Sequence, residues 1–462
     1  MATEVGDDDS WGMFVVGGVI KSCLRTSDRQ LVIDHLSSVL QVHNLVILVG
    51  SGASFHLGSP KSRELTTSAL QQLIETSGAT LTSTDLEVLR ALNPGESGDL
   101  ERLLDGLQAA TALAAHTGQT EVSLGGLVSF SVEELEQLRA KIGTAFANAC
   151  RLPGDPDRIS EGFRDDPLRA HRTFLSRIVG SRRANLPRPR FFTTNYDLVI
   201  ERALDQIGTP YIDGFSGTVE RRLNLAYYGL DYHRVGTTSQ QVLARADSAL
   251  YLHKIHGSLN WRATNARDAV TGVESLEVRQ VTDETPEDAD RVLIYPTTAK
   301  EGDTLAYPYS DLMRLLGDAV QQDDTAVISI GYGFADPHIN RILLRSLALN
   351  PALNILVVDP RAVIDDERAE ALPEPQDLVG KQLRDAGVAT KSTAISALAL
   401  AADSRIAVLT GPVGTFTNFA ELLPDPAASS GMTRPSVITD LIQSLEAVIK
   451  PTSPVTPSVE AR

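Results

Sequence analysis

Cysteine is scarce in this chain. Two occur in 462 residues, Cys23 and Cys150. They are far apart and share no CxxC spacing, so no disulfide framework is expected and a four-cysteine zinc site cannot be built within the chain. Long apolar runs are missing too. The run from Val15 to Ile20 is too short to span a membrane. The acidic segment from Met1 to Ser10 is no signal peptide. A cytoplasmic protein with no membrane partner is expected. Positive charge is in deficit: the formal net charge is −17. That excludes a generally basic surface, so no direct nucleic-acid contact is expected. An anionic ligand would have to be held by backbone N–H groups at a helix N-terminus, not by bulk charge.

What is present is ordinary for a globular protein. Apolar residues make up 42% and charged residues 22%, enough at this length to bury a sizeable core. Residues 1–27 read as an N-terminal arm, with Trp11, Met13 and Phe14 among polar neighbours, that packs on another subunit or frays. A helix is expected near 28–42. Asn44–Val49 is apolar on both faces and ends in glycine, the pattern of a buried parallel strand. Residues 63–75 have helical spacing. From 80 to 180 helical patterns dominate and strand signals are sparse, which predicts an inserted helical module. Strand and helix then alternate: strands near 191–194, 250–256, 293–295, 326–330 and 355–358, helices near 198–206, 309–321 and 337–348. This alternation predicts an α/β, Rossmann-like, doubly wound parallel sheet, built from 28–79 and 181–420 around the helical insertion at 80–180. Residues 362–410 carry mixed helical signals. Residues 421–462 read as a C-terminal helix and a disordered tail rich in Pro, Ser and Thr.

The first candidate site is the loop Gly50, Ser51, Gly52, Ala53, Ser54, directly after a strand. Glycines let backbone approach a pyrophosphate, and the following helix offers unpaired N–H groups. The third glycine of G-x-G-x-x-G is absent; Phe55 stands there. Two glycines in a strand-to-helix turn also arise for steric reasons alone. Gly58, Pro60 and Arg63 follow. Arg63 could reach a phosphate or carboxylate, or be a surface helix residue.

Thr193-Thr194-Asn195-Tyr196-Asp197 follows a second strand, at the strand end where open α/β sheets bind ligands. Asn195 and Asp197 there could contact ribose hydroxyls and a water. From the residues alone, capping the next helix is the stronger reading of Asp197, and a poorer explanation for Asn195. His256 ends a third strand and precedes Gly257, so its imidazole could face a cleft and take a proton near neutral pH. It could also be a structural histidine bonded to a backbone carbonyl. His253 would share its face in a regular strand, but no third metal ligand is evident nearby.

In this order the pieces resemble the sirtuins. The glycine loop with Gly58-Ser59-Pro60 and Arg63, the Thr-Thr-Asn-Tyr-Asp segment, His256-Gly257 and the late Gly331-Tyr332-Gly333 match four sirtuin motifs across residues 28–360. The phrases His-Gly-Ser-Leu-Asn-Trp and Gly-Tyr-Gly-Phe-Ala-Asp-Pro-His are similar to bacterial sirtuin-like (Sir2-family) NADases of antiphage defence. No SLOG or Argonaute-like region is evident after residue 360, so the resemblance points to a stand-alone effector with a separate partner, the HerA-associated type. The resemblance implies NAD⁺ as substrate and no zinc, since the sirtuin zinc cysteines are missing.

It also implies roles. Gly50 to Ser54 would cradle the pyrophosphate and Arg63 would lie near the nicotinamide. Asn195 would orient water or ribose with support from Asp197. His256 would act as base. Gly331, Tyr332 and Asp359 would approach the adenosine half, although an Asp before Pro360 is also a common turn choice. The expected function is hydrolysis of NAD⁺ to nicotinamide and ADP-ribose as a defence effector, in a homo-oligomer with a HerA-like ATPase partner. Two alternatives stand beside it. One is a deacylase or ADP-ribosyltransferase; the other is a non-catalytic NAD⁺ or ADP-ribose sensor subunit. Asn195 and His256 count against the sensor, and the missing cysteines against a deacylase.

Overall fold

A computed structural model of the protein describes residues 12–17, 19–24, 29–60, 67–92, 100–124, 128–154, 156–183, 185–234, 244–246, 248–267, 272, 274–282, 291–293, 307–334, 336–360, 398 and 403–426. The strands of the main sheet are β1 (Gly12–Val16), β2 (Val19–Leu24), β3 (Asn44–Val49), β4 (Arg190–Thr193), β5 (Tyr211–Ile212), β6 (Leu250–Lys254), β7 (Thr325–Ile330), β8 (Leu353–Val358) and β9 (Ile406–Thr410). They lie in the order β2-β1-β9-β8-β7-β3-β4-β6-β5. From β9 to β5 all neighbours are parallel, and β1 and β2 add an antiparallel hairpin at one edge.

The apolar runs explain this sheet, because a central parallel strand buries both faces. On β3, Leu45, Ile47 and Val49 pack on one side with helices α1 (Arg29–Leu40), α6 (Arg169–Ser181), α7 (Val199–Ile207) and α10 (Phe416–Leu422). Val46 and Leu48 pack on the other side with α8 (Tyr309–Val320) and α9 (Pro337–Leu349). The result is a doubly wound, three-layer α/β domain.

A third core belongs to the helices α2 (Thr67–Thr76), α3 (Ser83–Leu92), α4 (Leu100–Thr117) and α5 (Val132–Ala149), with the hairpin of Glu121–Leu124 and Val128–Ser131. Helix α5 starts where a capping box predicts. The Ser131 hydroxyl accepts the Glu134 amide at 3.2 Å, and the Glu134 carboxylate accepts the Ser131 amide at 2.9 Å. Tyr196 and Leu259 join this core from the main domain. A second, antiparallel sheet runs in the order Arg291–Leu293, Gly257–Arg267, Glu274–Gln280, Arg221–Leu223, Phe215–Ser216.

Several boundaries differ from the sequence reading. The N-terminal arm expected over 1–27 contains β1 and β2, which extend the main sheet; Phe14 and Val15 point into its two cores. The helical segment expected over 80–180 is displaced at both ends. Helix α2 packs in the module although it precedes residue 80, and α6 packs on the sheet although it precedes 180. Strand β9 lies in a stretch read as helical, because four apolar residues carry no period that separates strand from buried helix. The compact unit Met1–Leu423 contains all these elements, and Pro424–Arg462 form a second unit. The C-terminal helix and tail expected there lie outside the described residues. Among the described residues no helix is long and apolar enough to cross a membrane.

Candidate functional site

Strand register sets the site. Val358 pairs with Ile330, Ile330 with Val49, Val49 with Thr193 and Thr193 with Lys254. These five strand ends therefore form one row, with Asp359, Gly331 and Gly50 one residue past their ends and Asn195 and His256 two past theirs. At the usual strand spacing the row is about 19 Å long. The chain leaves β3 toward β4 on one side and later fills β7 on the other. The Gly50–Gly331 junction is thus the topological switch point, where open α/β sheets bind ligands.

At that junction two loops meet backbone to backbone. The Gly50 amide donates to Ile330 O at 3.0 Å and the Gly52 amide to Gly331 O at 2.9 Å. A Cβ on Gly50 would lie 2.5 Å from Gly331 O, and one on Gly331 would lie 2.4 Å from Ala53 N. Gly331 also has φ +63°, which favours glycine. The steric reading of Gly50 and Gly52 therefore has a direct cause. Ser51 is the exposed residue of the loop, while Ala53 and Ser54 are buried.

Asn195 and Asp197 come next, joined through the loop. The Ser54 hydroxyl donates to Asp197 Oδ2 at 3.1 Å and accepts from Asn195 Nδ2 at 3.4 Å. Asp197 Oδ1 accepts the Val199 amide at 3.1 Å. Both carboxylate oxygens of Asp197 thus hold protein donors, so the residue ties the start of α7 to the glycine loop. Burial pushes its carboxyl upward, against the pull of Lys254, the Val199 amide and the Ser54 hydroxyl. Asn195 is buried, yet among the described residues its Oδ1 has no hydrogen-bond partner. A buried acceptor left open is costly unless something donates to it.

His256 ends the row where the chain turns out of β6. Gly257, at φ +87°, makes that turn into the second sheet. His256 Nε2 lies 3.1 Å from Asp336 Oδ2, and both side chains are buried. The other oxygen, Asp336 Oδ1, caps α9 by accepting the amides of His338 at 2.9 Å and Ile339 at 3.3 Å. One carboxyl thus anchors a helix and faces the imidazole. Sequence reasoning missed Asp336 as a site residue. Asp-Pro ahead of an apolar helix is a legible cap signal, but nothing local to it points at His256.

The remaining residues are placed as follows. Asp359 is buried at the end of β8, its amide donating to Leu409 O at 3.1 Å. Tyr332 is buried, and its hydroxyl bonds Asp336 O at 3.2 Å and Asn340 Oδ1 at 3.0 Å. Tyr332 therefore braces the N-terminus of α9 next to Asp336. Arg63 lies outside the described residues. His253 is enclosed: its ring stacks between Phe192 and Tyr228 at 4.2 and 4.1 Å, and Nδ1 lies 3.0 Å from Phe191 O. Among the described residues no group of three or more His, Cys, Asp or Glu could hold a metal ion.

Residues 189–379 match the family model described as a SIR2-like domain, a span of less than half the chain. The match supports a Sir2-family member. It covers Asn195, His256, Asp336 and Asp359, while the glycine loop precedes it. No curated protein matches the chain. SIR2-like domains bind NAD⁺, so the comparison supports a sirtuin-like, NAD-related function.

Proposed function

We propose that the protein hydrolyses NAD⁺ to nicotinamide and ADP-ribose. The observation that carries this reading is the open Oδ1 of Asn195, buried at the strand ends. An acceptor-only oxygen fits a donor from the reacting centre, either a ribose hydroxyl or the attacking water. In the row, His256 stands beyond Asn195 and is the group suited to take up the released proton, with Asp336 Oδ2 3.1 Å from its Nε2. Nicotinamide already leaves as a neutral molecule from a cationic ring, so the site must mainly stabilise positive charge developing on the ribose and admit water. Gly50 to Ser54 at the switch point would hold the pyrophosphate, and Asp359 would lie on the adenosine side. Asp197 would act through Ser54 and Asn195.

Its place as a cytoplasmic effector of antiphage defence, assembled as a homo-oligomer with a HerA-like ATPase, extends the proposal on the strength of the sequence resemblance. The test follows nicotinamide release from NAD⁺, with and without an acetylated peptide and with and without a HerA-like ATPase. Peptide-independent release that falls by about 10²-fold or more in both Asn195→Ala and His256→Ala is expected. Release that requires the peptide would favour a transferase. NAD⁺ binding without release in any of these mixtures would favour a sensor.

A further inference from the structure

Behind the site lies a buried charge that the reading above leaves without a role. Lys254 is the last residue of β6, two positions before His256. It is buried, and its Nζ donates in three directions: to Glu201 Oε1 at 2.9 Å, to Tyr196 O at 3.3 Å, and to Asp197 O. Glu201 is buried on α7, with its carboxyl pushed upward by burial and pulled back by the ammonium. The two carbonyls belong to the turn that immediately follows Asn195. Placing an ammonium and a carboxyl out of water is costly, and an apolar pair of similar shape often stabilises a fold as well or better. Stability alone is therefore a weak reason for Lys254 to be here. What an apolar residue could not do is grip two carbonyl oxygens of the neighbouring turn.

We infer that Lys254 is a positioning residue that fixes the Asn195 turn relative to His256. β6 carries His256 and β4 runs into the Asn195 turn. Main-chain bonds join them at two further points, Ile255 N to Thr193 O at 3.0 Å and Leu259 N to Tyr196 O at 3.0 Å. The first precedes Asn195 and His256 along the chain and the second follows them. The ammonium reinforces the second: it bonds the same Tyr196 carbonyl and the Asp197 carbonyl just beyond it. The side chain of Lys254 touches no reacting atom in this reading; it acts by holding the loop whose Asn195 does.

The inference rests on the hydrolase proposal for its kinetic arm and is independent of it for its structural arm. Three variants separate position from stability. Lys254→Met leaves Glu201 buried without its cation and is expected to lower the melting temperature. Lys254→Met/Glu201→Gln removes both charges at nearly constant shape and is expected to recover most of that loss. Glu201→Gln alone keeps the grip of Lys254 on the carbonyls. The double variant is expected to release nicotinamide with kcat lowered about 10- to 100-fold and KM for NAD⁺ changed less than about threefold, because a small misplacement of a reacting group has an effect of that size. Glu201→Gln is expected to keep kcat within about threefold of the parent. In parallel, amide hydrogen exchange over residues 194–198 is expected to speed up about tenfold in the double variant, with the core strands unchanged. A double variant with parental exchange over 194–198 overturns the inference, whether or not the protein proves to be a hydrolase. Recovery of kcat together with the melting temperature overturns it as well. A parental protein that releases no nicotinamide overturns only the hydrolase reading, and exchange then decides the role of Lys254.

Discussion

From β7 to β3, the strand ends meet backbone to backbone, with no side chain between Gly50, Gly52 and Gly331. From β4 to β6, they meet through buried polar side chains: Ser54, Asn195, Asp197 and Lys254 on one side, His256 and Asp336 on the other. The first half supplies a shape and the second supplies chemistry. They should therefore fail differently. A change in the first half should damage the fold as well as the activity. A conservative change in the second should damage activity and leave the fold standing.

The largest expected effect is at Gly331. Gly331→Ala places a Cβ 2.4 Å from Ala53 N at a residue with φ +63°, so two loops must part. A loss of about 3 kcal/mol or more in unfolding free energy is expected. Gly78→Ala is the control: its φ is +85° but no atom lies within 4 Å of the added Cβ, so only the backbone preference acts, about 1 kcal/mol. Equal losses in urea unfolding would show that close packing of the two loops is not what requires glycine at 331.

The next effect is acid sensitivity behind the glycine loop. His56 is buried against Phe163 at 4.8 Å, His171 at 5.3 Å and Phe416 at 5.9 Å. Burial lowers His56 to about 4, despite a hydrogen bond with the Pro167 backbone, and lowers His171 well below its usual range with the help of His56. The unfolded imidazoles take up protons near pH 6.5, and the folded ones resist. The stability tied to their neutral forms is thus present above pH 6.5 and is lost as pH falls through the folded values. For His56 alone the span from 6.5 to about 4 corresponds to about 3 kcal/mol. Melting temperature followed from pH 7 to pH 4 should fall, and His56→Phe/His171→Phe should flatten the curve. An unchanged slope in the double variant would place the acid-labile element elsewhere.

On the chemical half, Asp336→Asn separates two jobs of one carboxyl. Asparagine caps a helix about as well as aspartate, so α9 should hold and the melting temperature should stay near the parental value. The group facing His256 changes from an acceptor carboxyl to an amide. A fall in kcat of about tenfold, or about 1.4 kcal/mol, is expected in the NAD⁺ assay. Parental kcat would mean that the 3.1 Å approach of His256 to Asp336 does not orient the imidazole.

The two halves were also unequally legible in the sequence. Runs such as Asn44–Val49 and Leu353–Val358 announce buried parallel strands because both faces must be apolar, and they position the row. β1 and β2 escaped because glycine and polar residues break up their apolar pattern, and β9 because a short apolar run shows no period that separates strand from buried helix. Glycines 50 and 52 were visible, but the cause of their presence was not, since it is the backbone of Gly331. The placement of Asn195 and His256 just past strand ends was legible because each follows a short, patterned apolar segment. Asp336, Lys254 and Glu201 were not. Their partners lie on other elements, and in sequence an aspartate before Pro337 is simply a cap, while Lys254 and Glu201 look like surface charges.

Ser54 is where the division is weakest, and it is the smallest effect expected. It belongs to the glycine loop by position, yet its hydroxyl reaches Asp197 at 3.1 Å and Asn195 at 3.4 Å. If the halves are independent, Ser54→Ala should act like a loop substitution, with a loss of about 1 kcal/mol in stability for a buried hydrogen bond removed and little change in kcat. If the hydroxyl couples them, Ser54→Ala should also lower kcat severalfold, because Asn195 loses the group that holds its Nδ2. A double-mutant cycle of Ser54→Ala with Asn195→Ala reads this directly. Coupling of about 0.5 kcal/mol or more in kcat/KM is expected, as for residues in contact. Strict additivity would restore the division between shape and chemistry, and would leave Lys254 as the link that holds the Asn195 turn in place.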